Sequence, residues 1–284
     1  MGNRQKKLRL FNQGVKAARA INLCEDKYVC PLCAEEFDLS AIDDGKLTLE
    51  HVPAYSQGGR PILLTCRHCN STAGHSIEGQ RHLEEKQLRF VKTIVGNEVG
   101  FGGEATLALG GIHLNAEIHN QGGIVDIRIS KKNAPVSIQE LQEYIERVSQ
   151  DGTWNQQEFR VTSRHAFVPR KAYIADLKAG FLTLTAAFGY TYALSDNLTS
   201  VRNQISNPDL EILPRWWITS NKSHSIGISE RDGIAIVSLG ERAVGLPWIS
   251  RADSRWSEVI ASKVRISLRT WPWPKEFVAA IDLR

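Results

Sequence analysis

The stretch LEHVPAYSQGGRPILLTCRHCNSTAGH, residues 49 to 75, decides how this chain is read. Within 27 residues it holds the pair Glu50-His51, the turn Gly58-Gly59, Cys66 and Cys69 in a Cys-x-x-Cys pair, and then Asn70 and His75. Lys46 to Val52 alternates as a strand and enters a loop at Pro53, and Ile62 to Thr65 is the returning strand. From Asn70 onward the pattern turns helical, with Ile77, Leu83, Leu88, Val91 and Ile94 as inward residues. The expected order is strand, loop, strand, helix. Neighbours in a regular strand face opposite ways, so Glu50 and His51 can serve one centre only where the chain leaves strand geometry, which Pro53 favours.

Upstream lies a matching knuckle. Of the five cysteines, Cys30 and Cys33 form one Cys-x-x-Cys pair, Cys66 and Cys69 the other, and Cys24 stands alone as a small buried hydrophobe. The N-terminal MGNRQKKLRLFNQG lacks the apolar core of a signal peptide, so metal is favoured over disulfides. Four thiolates are the ligand set of a closed tetrahedral zinc site, because a d10 ion takes them without redox chemistry. A redox Cys-x-x-Cys is the alternative. Between Cys33 and Cys66 lie 32 residues, more than the roughly 15–20 of a common zinc ribbon. Zinc would therefore pin both ends of a hairpin that carries Glu50 and His51 in its middle, in a module too small to fold on apolar burial alone.

Cys30-Pro-Leu-Cys33, Glu50-His51-Val52-Pro53, Gly58-Gly59 and Cys66-Arg-His-Cys69-Asn70 resemble the His-Asn-His (HNH) endonucleases with zinc-stapled cores, over about residues 28 to 80. The resemblance implies a ββα-metal fold in which a catalytic divalent ion, Mg2+ or Mn2+, acts apart from the zinc to cut phosphodiester bonds in DNA. It gives His51 the part of the general base, which an imidazole of ordinary pKa near 6.5 can fill at neutral pH. Glu50 and Asn70 match the residues that hold the catalytic ion, and oxygen donors suit such an ion. His75 is a further candidate for that catalytic set. Arg60 and Arg67 lie near the proposed site and are candidate phosphate ligands. HNH modules of this kind resemble those of restriction, mobile-element and phage-defence systems, and nothing in the chain selects among them.

The bulk numbers fit a globular protein: 42% of residues are hydrophobic and 23% charged. No run approaches the roughly 18 apolar residues of a membrane span, so a cytoplasmic location without membrane contact is expected. Net charge is +4, yet residues 1 to 24 carry six bases and no acid, which leaves −2 for the rest. The apolar residues Leu8, Leu10, Phe11, Val15, Ala18 and Ile21 put that segment on a basic helix, and Arg4, Lys6, Lys7 and Arg9 become candidate nucleic-acid contacts.

Beyond the cysteine region, Gly96 to Gly103 reads as a linker. The expected organisation is therefore a basic helix (1–24), a zinc-stapled nuclease domain (25–95) and an accessory domain (96–284). The overall class is α+β: an N-terminal ββα-metal zinc module followed by a mixed α+β domain with antiparallel strands. ATLALGG, IHLNAEIHNQGG and IVDIRISKKN (105–133) read as an antiparallel meander with Gly-Gly turns. Ser137 and Glu140 stand at capping-box spacing for a helix, QEFRVTS (157–163) is a strand, KAYIADLKAGFLTLTAAFGYTYAL (171–194) is an apolar helix, and a short helix runs from Ser195 or Asp196 to Ile205. HSIGIS (224–229), GIAIVSL (233–239) and VRISLRTW (264–271) read as strands. The late tryptophans suit packing better than base stacking. A protein partner or homo-oligomer through 96–284 stays open, and the competing function is a zinc-stabilised DNA- or protein-binding module without turnover.

Overall fold

The computed structural model describes residues 2–55, 58–96, 98–164, 166–220, 223–249, 256, 260, 267–275 and 277. The basic N-terminal segment is a helix, α1 (Asn3–Ala20), which buries Leu10, Phe11, Ala17 and Ala18. Two short strands, β1 (Tyr28–Val29) and β2 (Glu36–Phe37), pair as a ribbon around the first cysteine knuckle. An antiparallel pair follows, β3 (Leu47–Val52) and β4 (Arg60–Cys66). The chain then enters α2 (Arg67–Ala73), a π-helical turn at Gly74–Glu78, and α3 (Gly79–Ile94). Strand, loop, strand, helix is thus the observed order in a mixed α+β chain.

Next come β5 (Gly100–Leu109), β6 (Ile112–Gln121), β7 (Ile124–Ile129), α4 (Pro135–Gln150) and β8 (Phe159–Ser163). Their sheet has the antiparallel order β7-β6-β5-β8. The chain ends with α5 (Pro169–Ala193), α6 (Thr199–Ser206), β9 (Trp217–Thr219), β10 (Ser225–Ser229), β11 (Ile234–Ser238), β12 (Arg242–Pro247) and β13 (Arg269–Trp271). These five strands form a second antiparallel sheet of order β13-β10-β11-β12-β9. Among the described residues, no helix is long and apolar enough to cross a membrane.

The chain forms two compact units: Met1–Arg81 with Pro169–Arg284, and His82–Val168. The segment expected as one accessory domain, 96–284, is therefore shared between them. The glycine-rich stretch expected as a linker instead feeds β5, which begins at Gly100, and the register slips between Phe101 and Gly103. Gly102 is needed there because an added Cβ would lie 2.6 Å from the Thr93 side chain.

In the first unit the central element is α5. Apolar on every side, it is buried almost from end to end, as a helix enclosed by other elements must be. Close packing shows at Gly180, where a Cβ would lie 2.2 Å from Val244 of β12. Two tyrosines join α5 to the cysteine region. Tyr190 Oη donates to the Val29 carbonyl at 2.5 Å, and Tyr28 Oη donates to the Leu64 carbonyl at 2.6 Å. Each hydroxyl also accepts, from the amides of Val29 and Leu64 respectively, so these buried polar groups are satisfied on both sides. Helix α1 closes over the same place: a Cβ on Gly14 would stand 2.2 Å from the Tyr28 ring. Because that ring is fully buried, Gly14→Ala is expected to cost about 1–3 kcal/mol through overpacking, read as a lowered urea midpoint with the cooperativity kept.

In the second unit Leu109, Leu114, Leu141, Tyr144 and Val148 pack α4 on the sheet, and Phe90 packs with Ala105 and Ile118. Several expectations need correction. Helix α3 turns Phe90 and Thr93 inward, and Leu88, Val91 and Ile94 are exposed. Helix α4 starts at Pro135 with Ala134 as its N-cap in place of Ser137; proline at the first helical position sets the start three residues earlier. Of the strand expected at 264–271, Arg269–Trp271 is formed and 264–266 fall outside the described residues. Trp216, Trp248 and Trp256 are buried.

Candidate metal centre and the histidine beside it

The four knuckle cysteines come together. The ligand atoms of Cys30, Cys33, Cys66 and Cys69 all lie within 4.8 Å of one another, and Cys33 Sγ is 3.8 Å from Cys66 Sγ. A zinc ion with Zn–S bonds of about 2.3 Å sets its tetrahedral sulfurs about 3.8 Å apart, so the set has both the donors and the spacing of a closed site. Local structure prepares it. The loop after β1 closes with the Ala34 amide donating to the Cys30 carbonyl, and Ala34 takes a positive φ of 61°. Cys66 is the N-cap of α2, its sulfur accepting from the Cys69 amide at 3.4 Å, and the Cys66 amide donates to Cys30 Sγ. Cys24 is half-buried, with its thiol donating to the Lys27 carbonyl.

The cluster fixes the end of β4, and β4 in turn fixes β3. Glu50 pairs with Leu63 but His51 pairs with Pro61, so Ile62 is an extra residue and the ladder bulges between Glu50 and His51. Pro61 has no N–H to offer the ladder, which explains why the irregularity falls there. The regular alternation is lost, and Glu50 and His51 line the same cavity, with Ala54, Glu78, Ala175, Lys178, Ala179 and Leu182. That cavity is small, about 10 Å³, room for about one water molecule.

His51 is half-buried and meets the exposed Tyr55 ring edge-on, 5.3 Å between centroids. Burial pulls its pKa below the ordinary value; the Glu50 charge works against that and Lys6 of α1 adds to it. Glu50, by contrast, is 2% exposed with both oxygens engaged. Its Oε2 accepts from Thr65 Oγ1 at 2.7 Å and its Oε1 from Lys178 Nζ at 2.8 Å. Lys178, itself 1% exposed, donates also to Glu78 Oε1 at 2.5 Å. Burial works to lower the Lys178 pKa, but the two carboxylates prevail and push it up to about 12.

Of the residues expected to hold a catalytic divalent ion, Glu50 and Asn70 have protein partners. Asn70 turns its amide nitrogen to β3, donating to Thr48 Oγ1 at 2.9 Å and to the Leu49 carbonyl. It is not the helix N-cap either, that place being taken by Cys66. His75 is exposed on the π-helical turn. Among the described residues, the four cysteines are the one group of three or more His, Cys, Asp or Glu gathered for a metal. A magnesium-like ion binds through oxygens and keeps several waters, and both oxygens of Glu50 are already engaged by Thr65 and Lys178.

The basic candidates divide. Arg4 is held by Asp43 at 2.7 Å, and Lys7 donates to the Leu47 carbonyl. Arg9, Arg60 and Arg67 are exposed. Arg60 borders an open groove beside the hairpin, lined also by Val52, Gly59, His224, Trp273 and Lys275. Sequence reasoning missed Glu78, Thr65 and Lys178. For Lys178 a signal was present: a lysine inside an apolar helix needs a buried partner. Comparison with family models, curated proteins and solved structures gives no match for the chain.

Proposed function

We propose that the chain is an HNH-type endonuclease that hydrolyses phosphodiester bonds in DNA, with His51 as general base and zinc held by Cys30, Cys33, Cys66 and Cys69. The single observation that carries this reading is the bulge that sets the His51 imidazole beside Glu50 on a hairpin pinned by the cysteine cluster. His51, neutral at pH 7, accepts a proton from water; the water oxygen bonds to phosphorus as the P–O3′ bond breaks, and the 3′ oxygen leaves with the electron pair and takes a proton from solvent. Lys6 acts on the His51 pKa, Arg60 and Lys275 line the groove beside the hairpin, and the three would neutralise backbone phosphates. The family reaction also uses Mg2+ or Mn2+; of its expected ligands, Glu50 has both oxygens engaged by Thr65 and Lys178.

The test is plasmid cleavage with Mg2+, Mn2+ or EDTA, comparing the wild type with His51→Ala. Loss of the base is expected to lower the rate by about 100-fold or more. The wild-type rate should hold through pH 7 and fall only below pH 6.5, since a lowered pKa keeps the base free to lower pH. DNA binding without cleavage in both proteins would leave the second reading, a zinc-stabilised DNA- or protein-binding module without turnover. What favours that reading is the engagement of Glu50 by Lys178.

A further inference from the structure

We propose that the Lys178 ammonium is the resident cation of the Glu50–Glu78 carboxylate pair, and that it keeps a divalent ion from binding there. The inference concerns the site of the proposed nuclease and rests on that reading only for its bearing on catalysis; the ion-binding claim stands by itself. Nζ lies 2.8 Å from Glu50 Oε1 and 2.5 Å from Glu78 Oε1, between carboxylates that come from β3 and from the π-helical turn. The side chains of Lys178 and Glu50 are 2% and 3% exposed. A divalent ion bridging the two oxygens would occupy the volume that Nζ fills.

Three features make the arrangement durable. Thr65 Oγ1 takes the second oxygen of Glu50, so the carboxylate cannot turn its free edge to a metal without breaking that bond. With Nζ in place, the adjoining cavity keeps room for about one water, too little for an ion that retains several. Lys178 is carried by a helix buried over almost its whole length and is itself 1% exposed, so the ammonium is held away from water. The three groups together carry one net negative charge, which an ammonium leaves in place beside His51 and which a divalent ion would cancel. Lys178 is accordingly a positioning residue: it holds Glu50 on the bulge and, through it, the strand that bears His51.

The experiment is a Mn2+ titration of the zinc-loaded chain without DNA, followed by the loss of free-Mn2+ electron paramagnetic resonance signal. Wild type, Glu50→Gln and Glu78→Gln are expected to give the same curve. Lys178→Met, checked for a native circular dichroism spectrum, is expected to gain one site per chain, tighter than any wild-type binding by about tenfold or more, that a further Glu78→Gln removes. A wild-type Mn2+ site abolished by Glu50→Gln or Glu78→Gln would overturn the proposal, and so would a folded Lys178→Met that gains none. Should Lys178→Met not fold, the comparison of wild type with the two glutamine variants decides. Because no DNA is present, failure here is distinct from failure of the nuclease reading, which plasmid cleavage reports.

Discussion

Cys66→Ser is expected to release zinc from the purified chain and to lower its stability by more than about 4 kcal/mol, whereas Cys24→Ser should change neither. The two cysteines differ in what depends on them. Cys66 ends β4, caps α2 and places its sulfur 3.8 Å from Cys33. The ribbons that meet at the cluster, β1–β2 and β3–β4, are each two-stranded, and an isolated two-stranded ribbon is marginal in water. Without the metal, four close sulfurs lose the reason for their approach, and the ends of both ribbons come free together. Cys24 donates a single bond to the Lys27 carbonyl and lies outside the cluster. Zinc content by atomic absorption and thermal melts of both variants check this. A Cys66→Ser protein that keeps its metal, or loses it and melts at the wild-type temperature, would show that the cluster does not support the fold.

The cysteine cluster, the β3–β4 hairpin and the meander were legible in the sequence because each rests on local spacing. Cys-x-x-Cys sets two sulfurs within reach by itself, Gly-Gly closes a turn, and alternation marks a strand. Even the need for irregular backbone at Glu50-His51 could be foreseen, since two strand neighbours cannot face one centre. Its cause was less visible: Pro61, on the opposite strand, and not Pro53 alone. The partition of the chain was not legible. An all-round apolar pattern in α5 says that the helix is enclosed but not by what, and Lys178 finds Glu50 across 128 positions of sequence. Glu78 reads as an ordinary helical acid until α5 is placed beside it. Asn70 suggested a metal ligand by its place after Cys69; that its amide nitrogen ties α2 to β3 was not visible from spacing.

The second large effect is expected from Asp176→Ala, which should cost about 3–5 kcal/mol, as the breaking of a buried ion pair does. Asp176 is 2% exposed; its Oδ1 accepts from Arg81 Nε at 3.0 Å, and its Oδ2 forms an ion pair with Arg242 Nη1 at 2.9 Å. Both arginines are largely buried, and Arg242 also lies over the Tyr173 ring. Removing the carboxylate they share leaves two guanidinium charges in low dielectric with less to compensate them, so the cost exceeds that of the hydrogen bonds alone. The exposed pair Arg4–Asp43 provides the contrast: its geometry is as good, at 2.7 Å, but water screens it, and Arg4→Ala should leave the denaturation midpoint where it was. Asp176 and Lys178 stand two residues apart on α5 and so point in different directions, one to β12 and the first turn of α3, the other to β3. Together they set the rotation of the helix. Asp176→Ala is therefore expected to weaken the Lys178–Glu50 contact as well, and a double-mutant cycle with Glu50→Gln should show coupling between residues that do not touch. Strict additivity in that cycle would mean that the two charges hold α5 independently.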